Sequence, residues 1–138
     1  MRELKFRAWM PKYNRYASGY DSLHFSHQLN IDGCGDWWVY PADPDDEPDD
    51  TVIVELYTGL KDKNGKEIYE GDIVRIYNMD NRGKIEGAYT PLFDEMNGEY
   101  LWCKNEDMDS AEYAGFPIWA KYRVIGNIHE NPELLEEE

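Results

Sequence analysis

Apolar and polar side chains alternate along much of this chain with the two-residue period of a half-buried β-strand. The pattern begins at residues 4–9, and residues 51–57 are rich in the β-branched side chains that favour strands. Similar runs predict further strands near Tyr16, near Leu29, and at 37–40, 73–77, 84–89, 100–103 and 121–128. Apart from Leu29, residues 18–35 show no strand pattern, and residues 105–112 form a polar stretch. A mainly β fold is therefore predicted.

Two Asn-Gly pairs predict that neighbouring strands are joined as hairpins. The pair Asn64-Gly65 is typical of a type I′ turn, which requires positive φ at both central residues. The pair Asn97-Gly98 precedes the run at 100–103 and predicts a second hairpin. Gly126 interrupts the last predicted strand and fits a β-bulge. We therefore expect a small barrel-like sheet built from hairpins.

The C-terminal residues have the pattern of a helix start. Asn131 fits the N-cap position and Pro132 the first helical position, and acidic residues follow in the first turn. A helix this short is marginal alone, so it needs Leu134 or Leu135 packed on the body. We predict one β-rich domain over residues 1–130 with an acidic loop at 43–50. A short acidic helix or tail at 131–138 follows it.

The charge is concentrated in two stretches. The chain has 29 Asp and Glu against 14 Lys and Arg, which gives a net charge of −15. Residues 43–50 hold six of the acids and residues 130–138 hold five, with no base in either stretch. The remaining 18 acids still exceed the bases, which argues against direct binding to nucleic acid or to an anionic membrane. We predict that the acidic run is an exposed, solvated loop. A calcium site there is the alternative, although the run lacks the glycine turn and terminal Glu of an EF-hand loop.

Metal and redox motifs are not recognisable in the sequence. Cys34 and Cys103 lack the spacing of a zinc knuckle or redox pair, so we interpret both as free thiols. His24 and His27 lie three apart, and a zinc site would need further ligands from Cys34, Cys103 or His129. We favour ordinary surface histidines.

Signatures of enzymes, membrane spans and secretion are also missing from the sequence. The chain shows no phosphate-binding glycine loop, nucleophile elbow or His-Glu-x-x-His motif, so we predict no catalytic residues, no cofactor and no enzymatic activity. No apolar run approaches the roughly 18 residues of a membrane span, and the first residues do not fit a signal peptide. These observations predict a cytoplasmic protein.

Three segments together carry a family resemblance. Residues 5–9 are Lys-Phe-Arg-Ala-Trp, and residues 124–135 are Val-Ile-Gly-Asn-Ile-His-Glu-Asn-Pro-Glu-Leu-Leu. The distinctive middle segment, residues 57–74, is Tyr-Thr-Gly-Leu-Lys-Asp-Lys-Asn-Gly-Lys-Glu-Ile-Tyr-Glu-Gly-Asp-Ile-Val. In this order they resemble the YopX family of phage and prophage proteins. The resemblance implies a β-rich fold and a phage or prophage protein in a bacterial cytoplasm, and it implies no particular activity.

The middle segment also supplies the candidate site. Its residues 70–74 resemble the turn-and-strand entry of SH3-like barrels, which implies that the sheet is of SH3-like type. We interpret the segment as an interaction or structural signature. The candidate residues are Tyr57, Thr58, Gly59, Lys61, Asp62, Asn64, Gly65, Ile68, Tyr69, Gly71 and Asp72.

Three functions of different classes remain open. The favoured hypothesis is a phage accessory module that binds a host or phage protein or self-associates, because exposed strand edges and many Tyr and Trp residues favour protein contacts. The second is an acidic nucleic-acid mimic that inhibits a host DNA-binding protein. The third is a nucleic-acid-binding barrel that uses Lys61, Lys63 and Lys66, although charged hairpin tips commonly serve solubility.

Overall fold

The computed structural model describes residues 5–26, 36–78, 87–115 and 120–136. Within these ranges the chain forms eleven strands, all of whose pairings are antiparallel, and two short 3₁₀ helices. The strands are β1 Phe6–Met10, β2 Arg15–Tyr16, β3 Ser22–Ser26, β4 Asp36–Tyr40, β5 Ile53–Lys61, β6 Glu67–Tyr69, β7 Asp72–Asn78, β8 Gly87–Asp94, β9 Glu99–Cys103, β10 Ala111–Ala114 and β11 Ala120–Asn127. The predicted mainly β class is confirmed, with a sheet curled into a half-barrel.

The described chain divides into two compact units, Lys5–Leu56 and the described part of Tyr57–Glu138. We call them the N-terminal and C-terminal units. The first part of β5 pairs with β1, and its second part pairs with β6. This division does not test the predicted single domain over 1–130, which stays a prediction.

The N-terminal unit consists of two small sheets around one apolar core. β1 pairs with β2 and with β5, while β3 and β4 form a separate hairpin. Ala8, Met10 and Val39 are buried together. Partly buried residues complete this core: Tyr13, Ala17, Leu23 and Val52.

Strand β3 lies in a region that the sequence pattern predicted to be irregular. Ser22 and His24 stand on its exposed positions, and Leu23 faces the core from between them. Leu23 and Phe25 alternate with Ser22, His24 and Ser26, so a two-residue period is present here and the prediction of irregular structure at these residues is wrong. The strand predicted near Leu29 lies outside the described residues.

The C-terminal unit contains an open five-stranded sheet with the order β10-β9-β8-β7-β11. One face of this sheet covers a core that includes stacked rings of Trp102 and Tyr122, whose centroids are 5.5 Å apart. Ile68, Val74, Ile76, Tyr89 and Ala120 complete the buried cluster.

Two features of this sheet bear on the sequence predictions. Strand β10 was not predicted, because it overlaps the polar stretch at residues 105–112. The pairing of β11 with β7 shifts register between Val124 and Gly126, so the predicted bulge is confirmed.

Both Asn-Gly pairs lie in hairpins, and the turn at Asn64-Gly65 is longer than predicted. Gly65 has a φ of 84°, but Asn64 does not have positive φ, so the type I′ prediction is wrong. The Gly65 amide instead donates to the Asp62 carbonyl at 3.0 Å, and the Asp62 amide donates to the Lys66 carbonyl at 2.7 Å. These bonds enclose a three-residue loop with glycine in its left-handed position, a common hairpin connection. In the β8–β9 hairpin, Gly98 has a φ of 69° and donates to the Asp94 carbonyl at 2.8 Å.

The predicted C-terminal helix is a single 3₁₀ helix at Pro132–Glu136. Leu134 and Leu135 are half-buried, and the helix packs against β8, as its marginal length requires. Among the described residues, no helix has the length and apolar character needed to cross a membrane.

Candidate functional site

Asp62 organises the centre of the predicted signature. Its side chain is only 7% exposed, yet its carboxylate accepts three backbone hydrogen bonds. Oδ1 accepts from the amides of Asn64 at 2.8 Å and Lys66 at 2.9 Å, and Oδ2 accepts from Val124 at 3.0 Å. Burial raises the pKa of this carboxyl, but the three donors outweigh burial and hold the pKa below its usual value. Asp62 is therefore an ionised anchor that joins the hairpin turn to β11.

Thr58 and Gly59 form an irregularity that the hairpin requires. β5 and β6 pair at Tyr57 with Tyr69 and again at Lys61 with Glu67, so four steps along β5 match two along β6. Within the bulge, the buried Thr58 hydroxyl donates to the Ile68 carbonyl at 2.7 Å and accepts from the Leu60 amide at 3.2 Å. Gly59 has a φ of 91°. The Thr58 hydroxyl thus makes hydrogen bonds between β5 and β6 where the bulge interrupts the backbone pairing of these strands.

The last part of the signature forms the reversal between β6 and β7. Asp72 is 2% exposed and accepts a hydrogen bond from the Tyr69 amide at 2.8 Å. Gly71 has a φ of 86°, and its carbonyl accepts from the Ile128 amide at 2.8 Å. The structure therefore joins the first part of the signature to β6 and places the middle and last parts beside β11.

The signature leaves few apolar groups on its outer side. Ile68 is fully buried, and the rings of Tyr57 and Tyr69 contact each other with centroids 5.6 Å apart. Lys61, Lys63 and Lys66 are exposed, and the Lys63 ammonium lies 5.6 Å from the centre of the Tyr77 ring. This arrangement matches a structural element more closely than a contact surface.

A more accessible group of rings lies on the β3–β4 hairpin of the N-terminal unit. His24 and Trp38 are directly opposite each other, and their rings stack with centroids 5.5 Å apart and planes 11° apart. Tyr40, two positions after Trp38 and therefore on the same face, meets the His24 ring edge-on at 5.0 Å and is 48% exposed. We call these three side chains the aromatic face. The sequence held a signal for it, since Trp38 and Tyr40 have strand spacing, but the partner strand β3 was not predicted.

A groove adjoins the aromatic face. It has a volume of about 260 Å³ and is lined by Lys12, Trp38, Glu47, Pro48 and Asp50. The Lys12 ammonium donates to Glu47 Oε2 at 3.1 Å and to the Pro48 carbonyl at 3.3 Å. Within the described residues, Asp50 makes no hydrogen bond or ion pair and is exposed. The groove therefore combines an indole surface, an apolar ring and exposed acidic groups.

The acidic loop is exposed as predicted, with one exception that fixes its position. Asp49 is fully buried and accepts from the Thr51 amide at 2.8 Å, the Thr51 hydroxyl at 2.5 Å and the Lys12 amide at 3.0 Å. Its backbone also exchanges two 2.8 Å hydrogen bonds with Val39. Burial raises the pKa of Asp49, but these donors and the nearby Lys12 charge lower it below the usual value. A freely solvated loop was therefore the wrong expectation at this residue.

Metal-binding geometry is not seen in the described residues, where no group of three or more His, Cys, Asp or Glu side chains is placed to hold an ion. This includes the acidic loop, for which calcium was the alternative. His27 and Cys34 of the zinc alternative lie outside the described residues.

Comparisons with known proteins agree with the family resemblance. The family model described as YopX protein matches residues 5–136. The crystal structure of protein EF1440 from Enterococcus faecalis is similar, with a TM-score of 0.54, 24% identity and coverage of 98% of this chain and 99% of that chain. The crystal structure of the protein yopX from Bacillus subtilis gives a TM-score of 0.53 and 22% identity, covering 97% and 98% of the two chains. These two likenesses show a shared fold. A search of curated proteins finds no match. Since the family model spans nearly all of the described residues, the chain belongs to the YopX family.

Proposed function

We propose that this protein is a non-catalytic protein-binding module, a phage or prophage accessory protein, that contacts its partner through the aromatic face. The observation that carries the proposal is the stack of exposed His24 on half-buried Trp38, with exposed Tyr40 against the edge of the stack. Tyrosine and tryptophan are enriched at protein interfaces because they bury a large area at a low cost in side-chain entropy. Mutual ring contacts hold these side chains in place before a partner arrives, which lowers that cost further.

The signature segment has a structural role, which supports the assignment of partner binding to the aromatic face. Asp62, Thr58 and Asp72 direct their polar atoms to backbone groups of their own unit. A segment whose polar side chains are engaged in this way stabilises the fold. We therefore assign partner binding to the N-terminal unit and a structural role to the signature.

The experiment is affinity capture from a lysate of the bacterium that carries the gene, followed by reconstitution with the purified partner. The matched variants are Trp38→Ala in the aromatic face and Tyr20→Ala, which removes an aromatic ring that is 86% exposed elsewhere in the same unit. We expect the unmodified protein and Tyr20→Ala to retain the same partner in a defined stoichiometry, and Trp38→Ala to lose it. Retention by Trp38→Ala, or the lack of any partner, would contradict the proposal.

The same materials separate the alternative functions. Self-association through the aromatic face gives a mass above that of the monomer in light scattering, and Trp38→Ala restores the monomer. A nucleic-acid mimic gives a captured DNA-binding protein that added DNA displaces. Direct nucleic-acid binding gives a gel shift near 150 mM salt that is lost when Lys61, Lys63 and Lys66 are changed to Glu. We expect no such shift from the unmodified protein.

A further inference from the structure

We infer that the groove beside the aromatic face binds an arginine side chain from a basic segment of the partner protein. This inference rests on the proposed protein-binding function and adds the chemistry of the group that is recognised. Its basis is the meeting of Trp38, Glu47 and Asp50 in one groove of about 260 Å³.

The indole of Trp38 supplies the stacking surface. Tryptophan attracts cations over its ring more strongly than tyrosine or phenylalanine, and guanidinium groups are the most frequent partners. The His24 ring already stacks on Trp38, and Leu23 and Val39 on the opposite side of the hairpin belong to the core. The indole is thus held in place, and Trp38 is one of the residues that line the groove.

The acidic residues supply the charge. Asp50 has no hydrogen-bond partner among the described residues, and Glu47 is exposed beside it in the lining. A planar guanidinium can stack on the indole and at the same time donate two hydrogen bonds to a carboxylate, which an ammonium cannot do as well. The surrounding run at 43–50 holds six acids and no base, so it favours a partner segment of high positive charge.

Other occupants fit less well on charge grounds. A nucleic acid would bring phosphates to this acidic loop. A second copy of the chain would bring the same loop and a net charge of −15. A basic protein segment is the macromolecule whose charge complements the groove.

Lys12 is the group that opposes this binding, since its ammonium lines the groove. Its bonds to Glu47 Oε2 and the Pro48 carbonyl, at 3.1 and 3.3 Å, hold the charge against the loop. The Lys12 backbone amide, by contrast, donates to Asp49 and would survive a change of the side chain. Lys12→Gln therefore removes a like charge from the groove while keeping the contact with Asp49, and it should tighten the binding of arginine.

The test measures fluorescence anisotropy of a labelled peptide that alternates glycine and arginine, with a peptide of the same length carrying neutral, isosteric citrulline. At about 150 mM salt, where distant surface charges are screened, we expect binding of the arginine peptide alone. Trp38→Ala should weaken binding at least about fivefold, the effect of losing a well-placed cation–π contact. Asp50→Asn should weaken it about threefold, as expected for loss of one exposed ion pair, and Lys12→Gln should strengthen it.

The matched control is Asp45→Asn, which makes the same charge change in the same loop at a residue outside the groove lining. Its affinity should stay within about twofold of the unmodified protein, because it loses only a screened long-range interaction. Asp50→Asn alters an exposed side chain and keeps its shape, so it tests the groove even if Trp38→Ala folds poorly.

Equal binding of the two peptides, no binding of the arginine peptide, or equal effects of Asp50→Asn and Asp45→Asn would each overturn the inference. If a partner is nevertheless captured and Trp38→Ala loses it, the proposed function stands and only the arginine recognition fails. If neither the peptide nor any partner binds, both fail.

Discussion

The carboxylate of Asp62 accepts a hydrogen bond from the backbone amide of Val124 at 3.0 Å, although 62 positions separate the two residues. A second bond runs in parallel, from the Lys63 amide to the Tyr122 carbonyl at 2.9 Å. The hairpin tip is therefore fastened to β11 by a side chain and by the backbone. This contact joins two segments that carry the family resemblance, residues 57–74 and 124–135.

Replacing Asp62 with Asn should destabilise the protein. The amide group offers one acceptor oxygen where the carboxylate has two, and its N–H₂ would face a backbone donor. Hydrogen bonds to buried charged groups contribute about 1.5–3 kcal/mol, so we expect a loss of about that size in the free energy of unfolding. Urea denaturation at neutral pH measures it. A loss no larger than that of the exposed control Asp45→Asn would show that Asp62 is not an anchor.

The pH dependence of the same pair gives a second test. Because the pKa of Asp62 is lower in the folded protein than in the unfolded chain, the unfolded state binds more protons in the acidic range. The stabilisation is fully present above the unfolded pKa of about 3.9 and is lost as the pH falls through the folded pKa. The difference in stability between the unmodified protein and Asp62→Asn should therefore shrink below about pH 4. A constant difference from pH 7 to pH 3 would contradict an ionised Asp62.

Gly65 should respond to substitution through its backbone alone. Its φ is 84°, and a Cβ added there would meet no atom within 4 Å, so steric contact plays no part. We expect Gly65→Val to cost about 1–3 kcal/mol of stability, the range for a strained backbone residue, with smaller losses for Ala and least for Asn. Thermal unfolding ranks the series. Gly19→Ala is the matched control, because Gly19 also has open space but lacks positive φ. Equal losses of stability for Gly19→Ala and Gly65→Ala would show that the positive φ of the turn does not cause the loss.

Substitution of Gly126 should destabilise the protein for a different reason, because there is no space for a Cβ atom at this position. A Cβ there would lie 2.6 Å from Asn131 Oδ1 and 3.0 Å from Asn131 Cβ. Gly126→Ala must therefore displace Asn131, whose Oδ1 accepts a hydrogen bond from the Asn127 amide at 3.3 Å. We expect a loss of about 1–3 kcal/mol, typical of overpacking. In the Asn131→Ala background the loss should be smaller, because the closest atoms are gone; strict additivity of the two changes would argue against this contact.

The sequence predicted geometry that a single residue type indicates and missed geometry that the hydrogen bonds of a side chain select. Gly126 was identified as a bulge because only a local exception to the strand pattern was needed. The type I′ turn failed at Asn64-Gly65 because the Asp62 carboxylate binds the amides of Asn64 and Lys66 and selects a longer loop.

The candidate site shows the same division. The signature was found, but its inward polar bonds were not visible without the fold. The aromatic face was missed because β3, whose five residues alternate between polar and apolar, lies in a stretch that was predicted to be irregular. The groove beside it also needs Lys12 and the loop after β4. Neither sequence distance nor composition places those residues together.

The acidic loop yields the last prediction, which revises the expectation that all of residues 43–50 form a freely solvated loop. Asp49 is fully buried and joins the loop to Thr51 and to the Lys12 backbone through three hydrogen bonds, whereas Asp45 is exposed. Both changes to Asn remove one negative charge from the loop, so any difference between them reports burial and hydrogen bonding. We expect Asp49→Asn to lower the free energy of unfolding by about 1–3 kcal/mol, because a buried donor is left poorly satisfied. Asp45→Asn should change it by less than about 0.5 kcal/mol, as is usual at exposed positions. Urea denaturation of both variants at neutral pH measures the two losses. Equal, small losses would show that the whole loop, including Asp49, is only an exposed, solvated segment. Deletion of residues 43–50 would then leave the stability unchanged.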